Sequence, residues 1–383
     1  MVLKIAERAL VPPFMVMDVM REAEALEAAG RHIIHLEVGQ PSTGIPRAAA
    51  DQVARALTDD PLGYTLAAGM PVLRARIARH YRDTYGAAIS PKRVFLTTGS
   101  SGGFVLAFLA AFAAGDRVAL AAPGYPAYRH ILTSLGITPV LLPVDETTRY
   151  QPTVDHLKSL PKLPDGLILA SPANPTGSMI LPDEFRALAA FCHNNGIRLI
   201  SDEIYHGISY GVTATTVADI SPSAFVVNSF SKYFSMTGWR LGWLIVPEDL
   251  QRPLECLAQN LFIAPPAVSQ HGGLAVFDCR DELEANVQRY ARNRDVLLRH
   301  LPESGFTRFA PADGAFYIYA DIADFGEDAE MFCKRMLHEA GVATTPGVDF
   351  DPFKGQRFVR FSFAGETAHM EEACRRLAKW RKA

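Results

Sequence analysis

The sequence predicts an α/β protein: a large domain on a mostly parallel sheet, covered on both faces, joined to a smaller α+β domain. Three observations carry this. Short, continuous apolar runs alternate with helical stretches, as strands buried on both faces do. The polar residues of chemical interest gather at the ends of those runs, where open α/β sheets bind ligands. A chain of 383 residues is also long enough for one large domain plus a smaller one.

The elements follow in order. Pro12-Pro13 opens a helix whose apolar stripe runs Val16, Met20, Ala23 and Leu26 and stops at Gly30. His32 to Val38 reads as a strand leading into Gly39-Gln40-Pro41. Arg93 to Thr97 is a β-rich run, and Ser100 opens an apolar helix through Ala113. Further strands are expected at Val118 to Ala121, Val140 to Leu142, Leu167 to Ala170, Arg198 to Ser201 and Phe225 to Asn228. Glu282 to Leu301, with Leu283, Val287, Tyr290, Leu297 and Leu301 on one stripe, reads as a long connecting helix. Phe316 to Tyr319 and Phe358 to Phe361 belong to the smaller domain, with which the N-terminal segment is expected to pack. The expected division is residues 46–285 for the large domain and residues 1–45 plus 286–383 for the small one.

Composition narrows the function classes. The balance of 38 basic against 41 acidic residues, net −3, argues against nucleic acid as a partner. Five cysteines without CxxC spacing suggest reduced thiols in a cytoplasmic protein, with no disulfide framework and no metal site. The longest apolar run, Val105 to Ala114, is too short to span a bilayer, and charges and prolines stand where a signal peptide needs apolar residues.

The chemistry concentrates in Ser229-Phe230-Ser231-Lys232 and Gly238-Trp239-Arg240-Leu241-Gly242. A lysine amine can form a Schiff base with an aldehyde cofactor, and the neighbouring hydroxyls and arginine suit a phosphate ester. Thr98-Gly99-Ser100-Ser101-Gly102-Gly103, between a strand and a helix, offers backbone amides and hydroxyls to an anion. Asp202 ends a strand, where in isolation it suits a helix N-cap. Asn174, before Pro175, suits a turn. Arg360, amid apolar strand neighbours, either pairs structurally or clamps an anion.

Together these segments resemble the class I/II aminotransferases, the fold type I enzymes that use pyridoxal 5'-phosphate. The likeness lies in Lys232 to Gly242, in Asp202-Glu203-Ile204-Tyr205, in Asn174-Pro175-Thr176-Gly177 and in Val359-Arg360-Phe361-Ser362-Phe363. The resemblance implies a three-layer large domain with a seven-stranded sheet. It implies that Lys232 carries the cofactor, with Asp202 at the ring nitrogen and Tyr205 and Asn174 at the ring oxygen. Tyr125 would stack on the ring, while Ser100, Ser101, Gly102, Ser229, Ser231 and Arg240 would hold the phosphate. Arg360, Asn174 and the N–H of Gly39 would bind the substrate carboxylate. Tyr64 would reach the neighbouring subunit's phosphate, which implies a homodimer with shared active sites.

The departures are informative too. Gln40 stands where the family more often has an acidic residue, and residues 259–266 are apolar where relatives are often rich in Ser and Thr. That hints at a side pocket for apolar or aromatic amino acids, and no residue is assignable as a second arginine for a dicarboxylate. The expected activity is transfer of an amino group from an L-amino acid to a 2-oxo acid. A carbon–sulfur β-lyase on the same scaffold is the rival, since its lysine, aspartate and arginine would be unchanged. A ligand-sensing module fused to a DNA-binding domain is disfavoured, because the segment before Gly39 is short and lacks a basic recognition helix. A dinucleotide-dependent dehydrogenase is disfavoured by the lack of GxGxxG after the first strand.

Overall fold

The computed structural model describes residues 3–382. The strands in chain order are β1 (Ile34–His35), β2 (Val94–Thr97), β3 (Arg117–Ala122), β4 (Thr138–Pro143), β5 (Gly166–Ala170), β6 (Arg198–Asp202), β7 (Phe225–Ser229) and β8 (Gly242–Ile245). They are followed by β9 (Arg308–Phe309), β10 (Tyr317–Asp321), β11 (Val342–Ala343), β12 (Thr345–Pro346) and β13 (Phe358–Ser362). Seven of them form one sheet in the order β2-β8-β7-β6-β5-β3-β4. The β3–β4, β3–β5, β5–β6 and β6–β7 pairs are parallel, whereas β8 runs antiparallel to both of its neighbours.

Alternation along these strands explains why they read as continuous apolar runs. Leu167, Leu169, Leu199 and Val226 face one core, while Ile168, Ile200, Phe225 and Val227 face the other. The helix Pro71–Tyr85 covers the first face with Leu73, Ile77 and Tyr81, and Gly99–Ala111 covers the second with Phe104 and Phe108. Burying each such side chain stabilises the fold by roughly 1.5–3 kcal/mol. This is the three-layer α/β architecture expected.

β8 is the strand the pattern reading leaves out, because its Trp243-Leu244-Ile245 directly follows the Gly-Trp-Arg-Leu-Gly segment. It doubles back between β2 and β7, and so places Arg240 beside the N-terminus of the helix Gly99–Ala111.

A second sheet, β12-β13-β10-β9, is antiparallel. The helix Arg280–His300 links the two cores: Leu283 packs in the large one, Tyr290 and Leu297 in the small. The N-terminal segment joins the smaller core through Ile34 and Leu36. Its expected strand, His32 to Val38, forms a ladder only at Ile34 and His35, because β11 offers just two partners. Beyond the ladder the chain stays pinned, as Ser362 donates to Leu36 O at 2.7 Å and Thr345 Oγ1 to Glu37 O at 3.0 Å. That tether delivers Gly39 to the ends of β6 and β7.

Among the described residues, no helix is long and apolar enough to cross a membrane, and no cluster of His, Cys, Asp or Glu could hold a metal. The five cysteines are free thiols.

Candidate active site

The loops after β2, β5, β6 and β7 and the inner edge of the smaller unit enclose a cavity of about 220 Å³. Lys232 lies on the turn that follows β7, and its Nζ donates to Gly39 O at 2.6 Å. Loss of water and the charges of Arg360 and Arg240 lower its pKa to about 8, against the pull of Asp202. An ammonium held there gives up its proton far more readily than an exposed one.

Asp202 ends β6 and is buried. A turn, not a helix, follows it, so the N-cap alternative does not apply. Its Oδ1 accepts from Ile204 N at 3.1 Å, and Oδ2 accepts from the hydroxyl of Tyr128. Burial nonetheless raises its pKa to about 6. A buried carboxylate of this kind favours any cation or N–H⁺ brought to it.

Arg360 comes from β13, between the rings of Tyr317 and Phe350 at 4.5 and 4.7 Å from their centroids. Its Nη1 donates to Asn174 Oδ1 at 2.8 Å, and Nη2 donates to Glu37 O and to Thr345 Oγ1. Its buried Nε has no partner. Tyr205 and Tyr317 share a hydrogen bond between their hydroxyls at 2.7 Å. Gly39 is glycine because a Cβ there would lie 1.7 Å from the Tyr317 hydroxyl oxygen.

The opposite end is an anion cradle. Ser100 and Ser101 stand at the N-terminus of the helix Gly99–Ala111, with Ser231, Thr237 and Arg240 facing them. Gly99, at φ +71°, leaves room for Arg240, whose Nη2 would lie 2.5 Å from a Cβ. Arg240 itself sits in the left-handed region at φ 51° and donates from Nη1 to Thr237 O at 3.0 Å.

Not every expected residue reaches the cavity. Ser229 lies behind it: its Oγ donates to Ser231 Oγ at 2.9 Å and accepts from Ser231 N at 3.0 Å. Gly102 also sits one layer back, against Thr98. Tyr64 is 88% exposed and does not line the cavity. Tyr125 lines the cavity edge-on to Tyr128, with ring centroids 5.3 Å apart.

Tyr128 and Tyr317 are functional candidates the sequence reading missed. The first stands in the opening turn of the helix Pro126–Ser134, three residues after its N-cap Tyr125, a spacing that was legible. The second is hidden inside an apolar strand. Phe14, Met17 and Met20, from the N-terminal helix and the residue before it, also wall the cavity.

The lining residues test what the cavity can hold. Lys232, Arg240 and Arg360 face a single carboxylate, Asp202, so the surplus of positive charge calls for anionic ligands. A hydroxyl-rich cradle at a helix N-terminus suits a phosphate, a desolvated lysine suits an aldehyde, and the acid opposite suits a pyridinium. Pyridoxal 5'-phosphate carries all three groups, and the residues present fit it. Fold and site thus define the fold type I pyridoxal-phosphate enzymes.

Comparison with known proteins narrows the class. The family described as "Aminotransferase class I and II" matches residues 31–377. A valine–pyruvate aminotransferase of Mycobacterium tuberculosis is 48% identical over 381 residues, 98% of each chain. A (5-formylfuran-3-yl)methyl phosphate transaminase of Methanocaldococcus jannaschii is 32% identical, over 96% of each chain. The crystal structure of an aminotransferase from Mycobacterium tuberculosis superposes over 100% of both chains, with a TM-score of 0.98 at 48% identity. The chain belongs to the class I and II aminotransferases, and is a pyridoxal-phosphate-dependent transaminase acting on small molecules.

Proposed function

We propose that this aminotransferase moves the amino group of an apolar monocarboxylic L-amino acid, such as valine, to pyruvate, with Lys232 as its catalytic amine. One observation carries the substrate class. Among the described lining residues the arginines are Arg240 and Arg360 alone, and Phe14, Val16, Met17 and Met20 add an apolar wall. Arg240 belongs to the phosphate cradle and Arg360 to a carboxylate, so among the described lining residues no cation is left for a second carboxylate. The valine–pyruvate activity named for the 48%-identical relative supports the same choice.

When bound, the cofactor supplies an aldehyde carbon that condenses with amines and a ring that takes up electrons from the substrate Cα. The protein's part follows from its own groups. Lys232 would hold the cofactor through its amine, and as a free amine tuned towards neutrality it would move the substrate Cα proton. Asp202, kept in place by Tyr128 and Ile204 N, would hold a proton on the ring nitrogen. Asn174 and Tyr205 would donate to the ring oxygen, and Tyr125 would pack on the ring. Ser100, Ser101, Ser231, Thr237 and Arg240 would hold the phosphate, with Gly102 supplying backbone and Ser229 orienting Ser231. Arg360 and the N–H of Gly39 grip the substrate carboxylate, fixing which Cα bond faces the ring. The apolar wall excludes water.

The reading extends to assembly. Tyr64 and the exposed apolar Leu3, Ile5 and Leu10 support a homodimer in which Tyr64 serves the neighbouring site. Two cores joined by one helix support domains of residues 46–285 and of residues 1–45 plus 286–383. Free cysteines support a cytoplasmic location.

A panel of amino acids assayed with pyruvate and with 2-oxoglutarate tests the proposal. Valine-like donors should lead, and dominant aspartate turnover would refute the substrate class. Ammonia release in place of amino transfer would favour β-elimination. Borohydride should trap the chromophore on the peptide carrying Lys232, and a label on any other lysine would overturn the site.

A further inference from the structure

Behind the cavity lies a buried histidine that none of the roles above uses. His206 stands on the turn after β6, four residues beyond Asp202 and next to Tyr205. Its Nε2 lies 3.1 Å from Ser171 O, and its Nδ1 lies 3.0 Å from the Tyr85 hydroxyl and 3.5 Å from Glu203 Oε2. A carbonyl oxygen can only accept, so Nε2 carries a proton. Burial lowers the imidazole pKa to about 3, which leaves the ring neutral and Nδ1 an acceptor. Tyr85 therefore donates to Nδ1. The tautomer is dictated by its partners.

Ser171 is where this matters. Its N donates to Asp202 O at 3.3 Å, its Oγ accepts from Ile180 N at 3.0 Å, and the loop it opens runs through Pro172 to Asn174. One imidazole thus ties the turn bearing Asp202 and Tyr205 to the loop bearing Asn174, and both to the helix Pro71–Tyr85. An apolar residue would fill the same space but tie nothing, and it would leave the tyrosine hydroxyl without its acceptor.

We propose that His206 is a positioning residue: the Tyr85–His206–Ser171 relay sets the spacing between Tyr205 and Asn174, and so tunes the cofactor's ring oxygen. The inference rests on the roles assigned above to Asn174 and Tyr205.

The test uses the holoenzyme. His206→Gln places an amide nitrogen near the Nε2 position and can still donate to Ser171 O. His206→Asn reaches only the Nδ1 position, and His206→Leu reaches neither. The readouts are the pH titration of the bound cofactor's absorbance, kcat, KM and the melting temperature. Leu and Asn should shift the colour midpoint by about one pH unit and lower kcat about tenfold, while Gln, which keeps the donor to Ser171 O but loses the acceptor for Tyr85, should shift no further than Tyr85→Phe. Tyr85→Phe should move the midpoint part of the way.

A native midpoint in Asn and Leu, or the same shift in Gln as in Asn, overturns the inference even if all variants melt earlier. Should Leu fail to fold, the contrast between Gln and Asn decides alone. A native protein whose chromophore is not on Lys232 instead refutes the site reading. Failure of the relay leaves that label in place.

Discussion

Gly39→Ala is the sharpest small perturbation this site offers. The new Cβ would lie 1.7 Å from the Tyr317 hydroxyl oxygen, 2.7 Å from Cζ and 2.9 Å from Cε1. Comfortable contact needs about 3.5 Å, so ring and backbone must part by about 1.5–2 Å. If Tyr317 yields, its 2.7 Å hydrogen bond to Tyr205 breaks and the ring slides under Arg360. If the backbone yields, Gly39 O leaves Lys232 Nζ. Both routes displace groups expected to act on the cofactor or the substrate. Overpacking costs about 1–3 kcal/mol of stability, and a displacement near 1 Å costs about a hundredfold in rate. The assay is steady-state transamination beside a melting curve, with Gly39→Ala/Tyr317→Phe as the partner variant. The double variant should regain part of the melting temperature, since the worst contact is gone, but not kcat. Native kcat within about twofold in the single variant would refute the reasoning.

Three further outcomes follow from the same geometry. Lys232 in cofactor-free protein has a pKa lowered from 10.5 to about 8, so uptake of pyridoxal phosphate should quicken with pH up to about 8 and flatten above; a rise continuing past that point would contradict the desolvated lysine. Arg360→Lys keeps the charge but loses the fork that spans Asn174, Glu37 and Thr345, and should raise KM for the amino donor at least about tenfold, read from initial rates. His35 is held up at about 9, chiefly by its hydrogen bond to Glu37 and further by Glu27. A raised pKa stabilises the fold fully below the unfolded value of 6.5 and ceases to do so as pH climbs through about 9. The half-exposed site limits the effect to about 1 kcal/mol, so the melting-temperature gap between native protein and His35→Gln should close by about 1 °C over that range.

Much of the site was legible because its chemistry sits on short contiguous segments. Ser231, Lys232 and Arg240 lie within one strand-to-strand turn, and Asp202 and Tyr205 within another. Strand ends are marked by where apolar runs stop, so the sequence alone located the ligand face of the sheet. Other features depend on which surfaces meet. Arg360 reaches Asn174 across 186 positions of chain, and Tyr128 reaches Asp202 across 74. Nothing local in either segment announces its partner.

What the chain by itself determined was therefore the α/β layering, the order of its motifs and the residue types brought to the cavity. Periodicity and turn chemistry are local properties, and they survive in a linear string. Only the tertiary structure decided that Ser229 turns behind the cradle, that β8 runs against its neighbours, and that Gly39 must be glycine because of Tyr317. It alone decided how far Lys232 is stripped of water. Burial and through-space distance are properties of packed surfaces, and they exist only once distant segments have come together.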